Sequence, residues 1–190
     1  MNNYFTKLSL DIPVFNQEPD LDILVSKYQN NFTHYVVNQL DLHQELFRLF
    51  DQLNLIIDSA EVFYIPKFYQ LPIHNDGGNY CDFFKINWIY FGLQSCMQWF
   101  EVKGEPQVVR HNAGFDINTY KLDQSNLIYS AQLTGPNLLQ VGVPHNVVTQ
   151  YQERLCLSIV PKQKNPNKLL TYQEGLSIFS NYISGADGED

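Results

Sequence analysis

A change of apolar period near residue 56 constrains the fold of this chain more than any other feature. From Asp20 to about residue 56 the pattern is helical. Leu21, Leu24, Val25 and Tyr28 recur at helical spacing behind Asp20, a residue type that caps a first turn. Leu42, Leu46, Leu49, Phe50 and Leu53 form a second stripe within LDLHQELFRLFDQL (40–53). Beyond it the apolar runs are short, aromatic and β-branched, with Gly, Pro or Asn between them. They read AEVFYIPKFYQLPIH, DFFKINWIYFG, SCMQWFEV, NLIYSAQL, NLLQVGVPHNVV and RLCLSIVP. Residues 1–19, punctuated by Pro13 and Pro19, read as irregular or strand-like. PKQKNPNK (161–168) reads as a polar linker, and TYQEGLSIFSNYIS as a closing helix. Two helices followed by about six antiparallel strands predict a mainly β chain, a jelly-roll or other double-sheet barrel with helices on its outside. The expected organisation is one domain over 1–190. It comprises an N-terminal helical flank at 1–59, a β-barrel core at 60–161, and a linker, C-terminal helix and acidic tail at 162–190.

Composition narrows what such a barrel can serve. Twelve Lys and Arg stand against 20 Asp and Glu, a formal charge of −8, which disfavours non-specific attraction to nucleic acid or an anionic membrane. Asp187, Glu189 and Asp190 place part of that charge in the tail. The opening MNNYFTKLSL lacks the basic start and apolar core of a signal peptide, and no apolar run is long enough to span a bilayer. Cys81, Cys96 and Cys156 are odd in number and widely spaced, which fits buried thiols in a reducing cytoplasm rather than a disulfide framework or a CxxC metal site. The expected location is cytoplasmic.

The stretch LPIHNDGGNY (71–80) carries His74 and Asp76 two positions apart behind a strand-like run. On a strand, residues i and i+2 share a face, so the pair can address one ion. His43 and Glu45 have the same spacing, but they sit in a helical stripe, where residues two apart point to different sides. His43 reads as a solvated helix residue. A third ligand must come from His34, His111 or His145. His34 reads as a loop residue beside Asn and Thr, and His111 sits in the Gly/Asn-rich VVRHNAGF. His145 lies in an apolar strand, where a lone histidine is more often a satisfied core residue than a ligand.

The following strand shifts that balance. Arg154 heads RLCLSIVP, nine residues after His145. If 141–148 and 153–160 form a hairpin with an even-numbered loop, His145 opposes Cys156 and Val147 opposes Arg154. His145, Arg154 and Ser158 then share the inward face. An inward arginine is costly unless an anion meets it, either a protein carboxylate or the carboxylate of a ligand, which its planar fork binds bidentately.

The order His74-x-Asp76, His145, then Arg154 in the next strand resembles the Fe(II)/2-oxoglutarate-dependent oxygenases, in particular the prolyl and aspartyl/asparaginyl hydroxylase branches. The resemblance covers roughly residues 60–160 and implies a double-stranded β-helix of cupin type. It implies that His74, Asp76 and His145 hold Fe(II) as a facial triad with open positions for cosubstrate and O2. It further implies that Arg154 anchors the far carboxylate of 2-oxoglutarate. Ser158 and Tyr64 resemble the assisting hydroxyls of that site, although Ser158 follows Arg154 by four residues where the commonest pattern has two. The implied reaction is hydroxylation coupled to release of CO2 and succinate. In related halogenases a small residue replaces the carboxylate, so Asp76 implies hydroxylation rather than halide transfer.

The expected substrate is a protein or peptide side chain, or a small amino-acid-like molecule. Selectivity is expected from the helices of 20–56 and from a loop at 103–126, and Asn87, Trp88, Tyr90 and Trp99 are candidate cavity residues. The alternative is a cupin-like barrel that binds a metal or ligand without turnover; a barrel with no metal, its His145 and Arg154 pinned by carboxylates, is a third reading.

Overall fold

In the computed structural model the described residues are 4–28, 31–76, 82–110 and 116–183. Helix α1 (Leu21–Tyr28) starts where the cap signal places it, with the Ile23 amide donating to the Asp20 carboxylate at 3.1 Å. Helix α2 (Gln44–Gln52) buries Leu46, Leu49 and Phe50, the expected stripe. Its N-cap is His43, whose Nδ1 accepts from the Glu45 amide at 3.2 Å. His43 is therefore a capping residue rather than a solvated helix position, and its pairing with Glu45 is local. Helix α3 (Tyr172–Ile178) begins with a reciprocal Thr171–Glu174 capping box.

Among the described residues, twelve strands form two antiparallel six-stranded sheets. Sheet I has the order β1-β10-β5-β12-β3-β2, built from Phe5–Lys7, Gly135–Gln140, Phe84–Phe91, Arg154–Gln163, Leu55–Ile65 and Thr33–Val36. Sheet II has the order β7-β8-β4-β11-β6-β9, built from Gln107–Arg110, Asp116–Tyr120, Ile73–Asn75, His145–Val148, Cys96–Val102 and Ser125–Gln132. From β3 to β6 and from β9 to β12, each strand crosses to the sheet opposite its predecessor. This is the double-stranded β-helix that the sequence predicts, mainly β with flanking helices.

Strand parity divides the core in two. The outer face of sheet I presents Val62, Tyr64, Phe84, Ile86, Leu155 and Leu157 to the helices. Its inner face meets sheet II over Ile65, Ile89, Met97, Val147 and Cys156. Sheet I is thus covered on both sides, which explains why β12 is buried without interruption from Arg154 to Ile159. Truncating Phe50, 1% exposed beneath α2, removes packing worth about 3–5 kcal/mol.

The structure departs from several of the sequence-based expectations. NLLQVGVPHNVV is not one strand: it breaks after Gln140, leaving β10 in sheet I and β11 in sheet II. The β11–β12 hairpin does not form, because β11 pairs with β4 and β6 while β12 pairs with β3 and β5. The expected loop at 103–126 contains β7 and β8, and β8 pairs with β4. β12 runs on into the expected linker as far as Gln163. β1 and β2, from the segment read as a helical flank, are the edge strands of sheet I, and His34 lies on β2 opposite Phe63 rather than in a loop. Among the described residues, no helix is long and apolar enough to cross a membrane.

Candidate metal centre

The donor cluster arises where two short strands of sheet II, β4 and β11, meet. His74 on β4 is in register with His145 on β11, and their ring centroids lie 4.6 Å apart. Asp76 stands just past the end of β4, fixed by its amide donating to the Val141 carbonyl at 3.0 Å. One ligand atom from each of His74, Asp76 and His145 lies within 4.8 Å of the other two. The expected pair and the expected third histidine are together. His34 and His43 are elsewhere, and His111 lies outside the described residues.

The surrounding bonds prepare these atoms for an ion. Nδ1 of His74 lies 2.8 Å from the Pro72 carbonyl, and Nδ1 of His145 lies 2.8 Å from the Val143 carbonyl. A carbonyl only accepts, so each Nδ1 carries the proton and each Nε2 keeps its lone pair for a metal. Asp76 divides its oxygens. Oδ2 meets Lys85 Nζ at 2.8 Å, while Oδ1 lies 3.6 Å from His74 Nε2. Lys85 thereby leaves Oδ1 as the metal-facing oxygen. Two neutral imidazoles and one carboxylate suit a divalent transition metal.

Electrostatics keep the donors deprotonated. Burial, helped by the adjacent His74, lowers His145 to about 4 against the opposing pull of Asp76. Burial acts to raise Asp76, but Lys85 and the two imidazoles outweigh it and hold the carboxyl well below the usual range. Burial likewise acts to lower Lys85, and Asp76 outweighs it, so the ammonium titrates above its ordinary value. Between pH 6.5 and about 4 the unfolded chain binds a proton at His145 that the folded chain does not. Metal-free protein should therefore be fully favoured by this group above pH 6.5 and lose that contribution as the pH falls towards 4. Urea titrations across this window should show the loss, and His145→Gln should flatten it.

The cluster opens on a cavity of about 310 Å³ between the sheets. Sheet I contributes Glu61, Lys85, Asn87, Arg154, Cys156 and Ser158 to its wall. Arg154 is 1% exposed. Its Nη1 donates to Ser95 Oγ at 3.0 Å, and Ser95 donates onward to the Gly92 carbonyl at 2.6 Å. A Cβ on Gly92 would lie 2.6 Å from the Glu153 carbonyl and 2.8 Å from Arg154 Cα, and its φ is +88°, so this turn requires glycine. Arg154 Nε has no partner, and among the described residues no carboxylate pairs with the guanidinium. His145 and Arg154 do share the cavity, but they face it from opposite sheets rather than from one hairpin.

Ser158 lines the same wall, 4% exposed. Tyr64 does not. The register pairs Arg154 with Ile65 and Leu155 with Tyr64, so Tyr64 shares the outer face with Leu155. It packs near Tyr28, ring centroids 6.4 Å apart, and its buried hydroxyl has no partner. Tyr64→Phe should therefore raise stability by up to about 1 kcal/mol, measured by thermal melting. Asn87 lines the cavity, whereas Trp88 belongs to the outer core, Tyr90 packs on Phe15, and Trp99 is buried with Tyr4 and Tyr129. Cys156 is a buried free thiol pushed up by burial, and Cys96 is only half-buried; Cys81 lies outside the described residues. Lys85 and Glu61 escaped the sequence reading. Their signal was a charge inside FFKIN and SAEVF, on strands whose other positions are apolar.

No protein-family model matches the chain, and no curated protein matches it. Solved structures do. The E. coli ycfD structure aligns over 77% of this chain and 37% of its own, at 14% identity and a TM-score of 0.37. The DMSP lyase DddQ of Ruegeria pomeroyi DSS-3 aligns over 86% and 63%, at 14% identity and 0.32. An oxidoreductase of the 2OG-Fe(II) oxygenase family from Burkholderia pseudomallei aligns over 75% and 78%, at 12% identity and 0.34. The chain thus spans 37% and 63% of the first two proteins.

Proposed function

We propose that the protein is an Fe(II)-dependent oxygenase that uses 2-oxoglutarate and O2 to hydroxylate a small amino-acid-like molecule or a protein side chain. The observation that carries this reading is one cavity holding both a two-histidine, one-carboxylate cluster and a buried guanidinium with no carboxylate partner among the described residues. A buried charge without a partner is costly, and a ligand carboxylate would relieve that cost.

The charges of the cavity fit the same cosubstrate. Glu61 and Asp76 balance Lys85 and Arg154, so a divalent metal leaves two positive charges in excess. A dianion with a 2-oxo acid at one end and a carboxylate at the other meets both the metal end and Arg154. In this reading His74, Asp76 and His145 hold the metal on one face. Lys85 fixes the Asp76 carboxylate, Arg154 orients the distal carboxylate, and Ser95 fixes Arg154. Ile65, Met97 and Val147 keep the space between them dry. The bound iron supplies the redox chemistry that couples decarboxylation of the 2-oxo acid to insertion of one oxygen atom into a substrate C–H bond.

Succinate release tests the reading. Wild-type protein with Fe(II), 2-oxoglutarate, ascorbate and O2 should convert the cosubstrate slowly to succinate without added substrate, and His145→Ala should not. A protein that binds metal but releases no succinate with any amino acid or peptide supplied is instead a non-catalytic cupin-like barrel.

A further inference from the structure

The inner wall of sheet I holds a second polar group that neither a metal nor a cosubstrate carboxylate accounts for. Glu61 on β3 and Ser158 on β12 are opposite in register, and Ser158 is opposite Asn87 on β5. The three side chains therefore form a row across adjacent strands, and all of them line the cavity. Glu61 is 8% exposed, and among the described residues its carboxyl makes no hydrogen bond or ion pair. Lys85, whose charge acts on Glu61 across the wall, is bonded to Asp76 at 2.8 Å. Asn87 Oδ1 is buried without a donor. Glu61 belongs to no metal cluster among the described residues, since only His74, Asp76 and His145 bring their ligand atoms together. The wall thus presents a carboxylate and an amide oxygen, both acceptors lacking donors, beside a hydroxyl that accepts as well as donates.

We infer that the row Glu61–Ser158–Asn87 binds the ammonium group of a small substrate, and that the substrate is a free amino acid. This rests on the oxygenase reading, which places the cosubstrate on Arg154 and the metal and leaves Glu61 to the substrate. An ammonium has three donors and one positive charge, and the row offers three acceptors and one negative charge. A carboxylate as deeply buried as Glu61 is costly while unpaired, so a matching cation has most to gain there. Size points the same way. The 310 Å³ cavity is at the lower end for small-molecule sites and must hold cosubstrate and substrate together.

Calorimetry on the nickel-loaded protein, which does not turn over, tests this. 2-Oxoglutarate is titrated first, then the proteinogenic L-amino acids, then the 2-hydroxy acid counterpart of each that binds. At least one amino acid should bind. Exchanging its ammonium for hydroxyl should weaken it by about ten- to hundredfold, the worth of one charge-assisted hydrogen bond. Glu61→Gln, nearly isosteric, should erase that preference without weakening 2-oxoglutarate, with thermal melting confirming the fold. If 2-oxoglutarate binds but no amino acid does, if only capped peptides bind, or if Glu61→Gln keeps the preference, the inference is overturned. If 2-oxoglutarate itself does not bind, the oxygenase reading fails instead.

Discussion

Arg154→Met should abolish measurable 2-oxoglutarate binding and at the same time leave the ligand-free protein as stable as the wild type, or more so. The two effects have one cause. Arg154 is 1% exposed, its Nε has no partner, and among the described residues its guanidinium meets the Ser95 hydroxyl and the Cys156 thiol but no carboxylate. Methionine fills similar space with no charge to desolvate, and replacing buried charges by apolar residues is often neutral or stabilising. The loss of a bidentate carboxylate clamp, by contrast, costs about 3 kcal/mol, a hundredfold or more in affinity. Arg154→Lys should recover part of the binding, because it keeps charge without the fork. Metal affinity should be unchanged in both variants. Calorimetry for the ligand and thermal melting for the apo protein read the two halves. A large drop in melting temperature for Arg154→Met would show a structural arginine.

His145→Ala or Asp76→Ala should lower divalent metal affinity on the order of a thousandfold, beyond the ten- to hundredfold that losing an outer partner costs. Removing the Asp76 carboxylate has a second consequence, because it leaves Lys85, with a side chain 12% exposed, facing two imidazoles without its anion. Asp76→Ala should therefore also destabilise the metal-free protein, whereas His145→Ala should not. Lys85→Met should weaken the metal by only the smaller factor. Competition titration with a chromophoric chelator measures all three, and equal effects in the three variants would contradict the assigned roles.

How much of this was legible depended on whether the signal was local. His74 and Asp76 were readable because their spacing and their strand context occur together in ten residues. The rejection of His43 and Glu45 rested on the same logic, though its capping role needed the exact helix start. Arg154 was readable as a charge heading an apolar strand. The pairing around it was not. Sequence neighbours usually form hairpins, but VGVP at 141–144 carries the chain from sheet I to sheet II, and β12 crosses back. Parity along β12 still gave the correct inward set, since alternation does not depend on the partner strand. Parity on β3 required the register with β12, which no local pattern encodes, and so Tyr64 was placed on the wrong face. Lys85 and Glu61 have the local pattern of solvent-facing alternation, a charge between apolar neighbours. Only the covering of sheet I on both faces turns such residues into cavity residues. β2 is a short edge strand without apolar alternation, which is why His34 read as loop.

In the proposed reading one cavity chelates a metal through three protein ligands while Arg154 holds the far end of a 2-oxo diacid. Anaerobic addition of 2-oxoglutarate to the Fe(II)-loaded protein tests both ends at once, because chelation of iron by the 2-oxo acid gives a weak visible charge-transfer band. Wild-type protein should give a saturable band, His145→Ala should lose it, and Arg154→Lys should titrate strongly to the right. Iron that binds tightly yet gives no band at any 2-oxoglutarate concentration would contradict that reading.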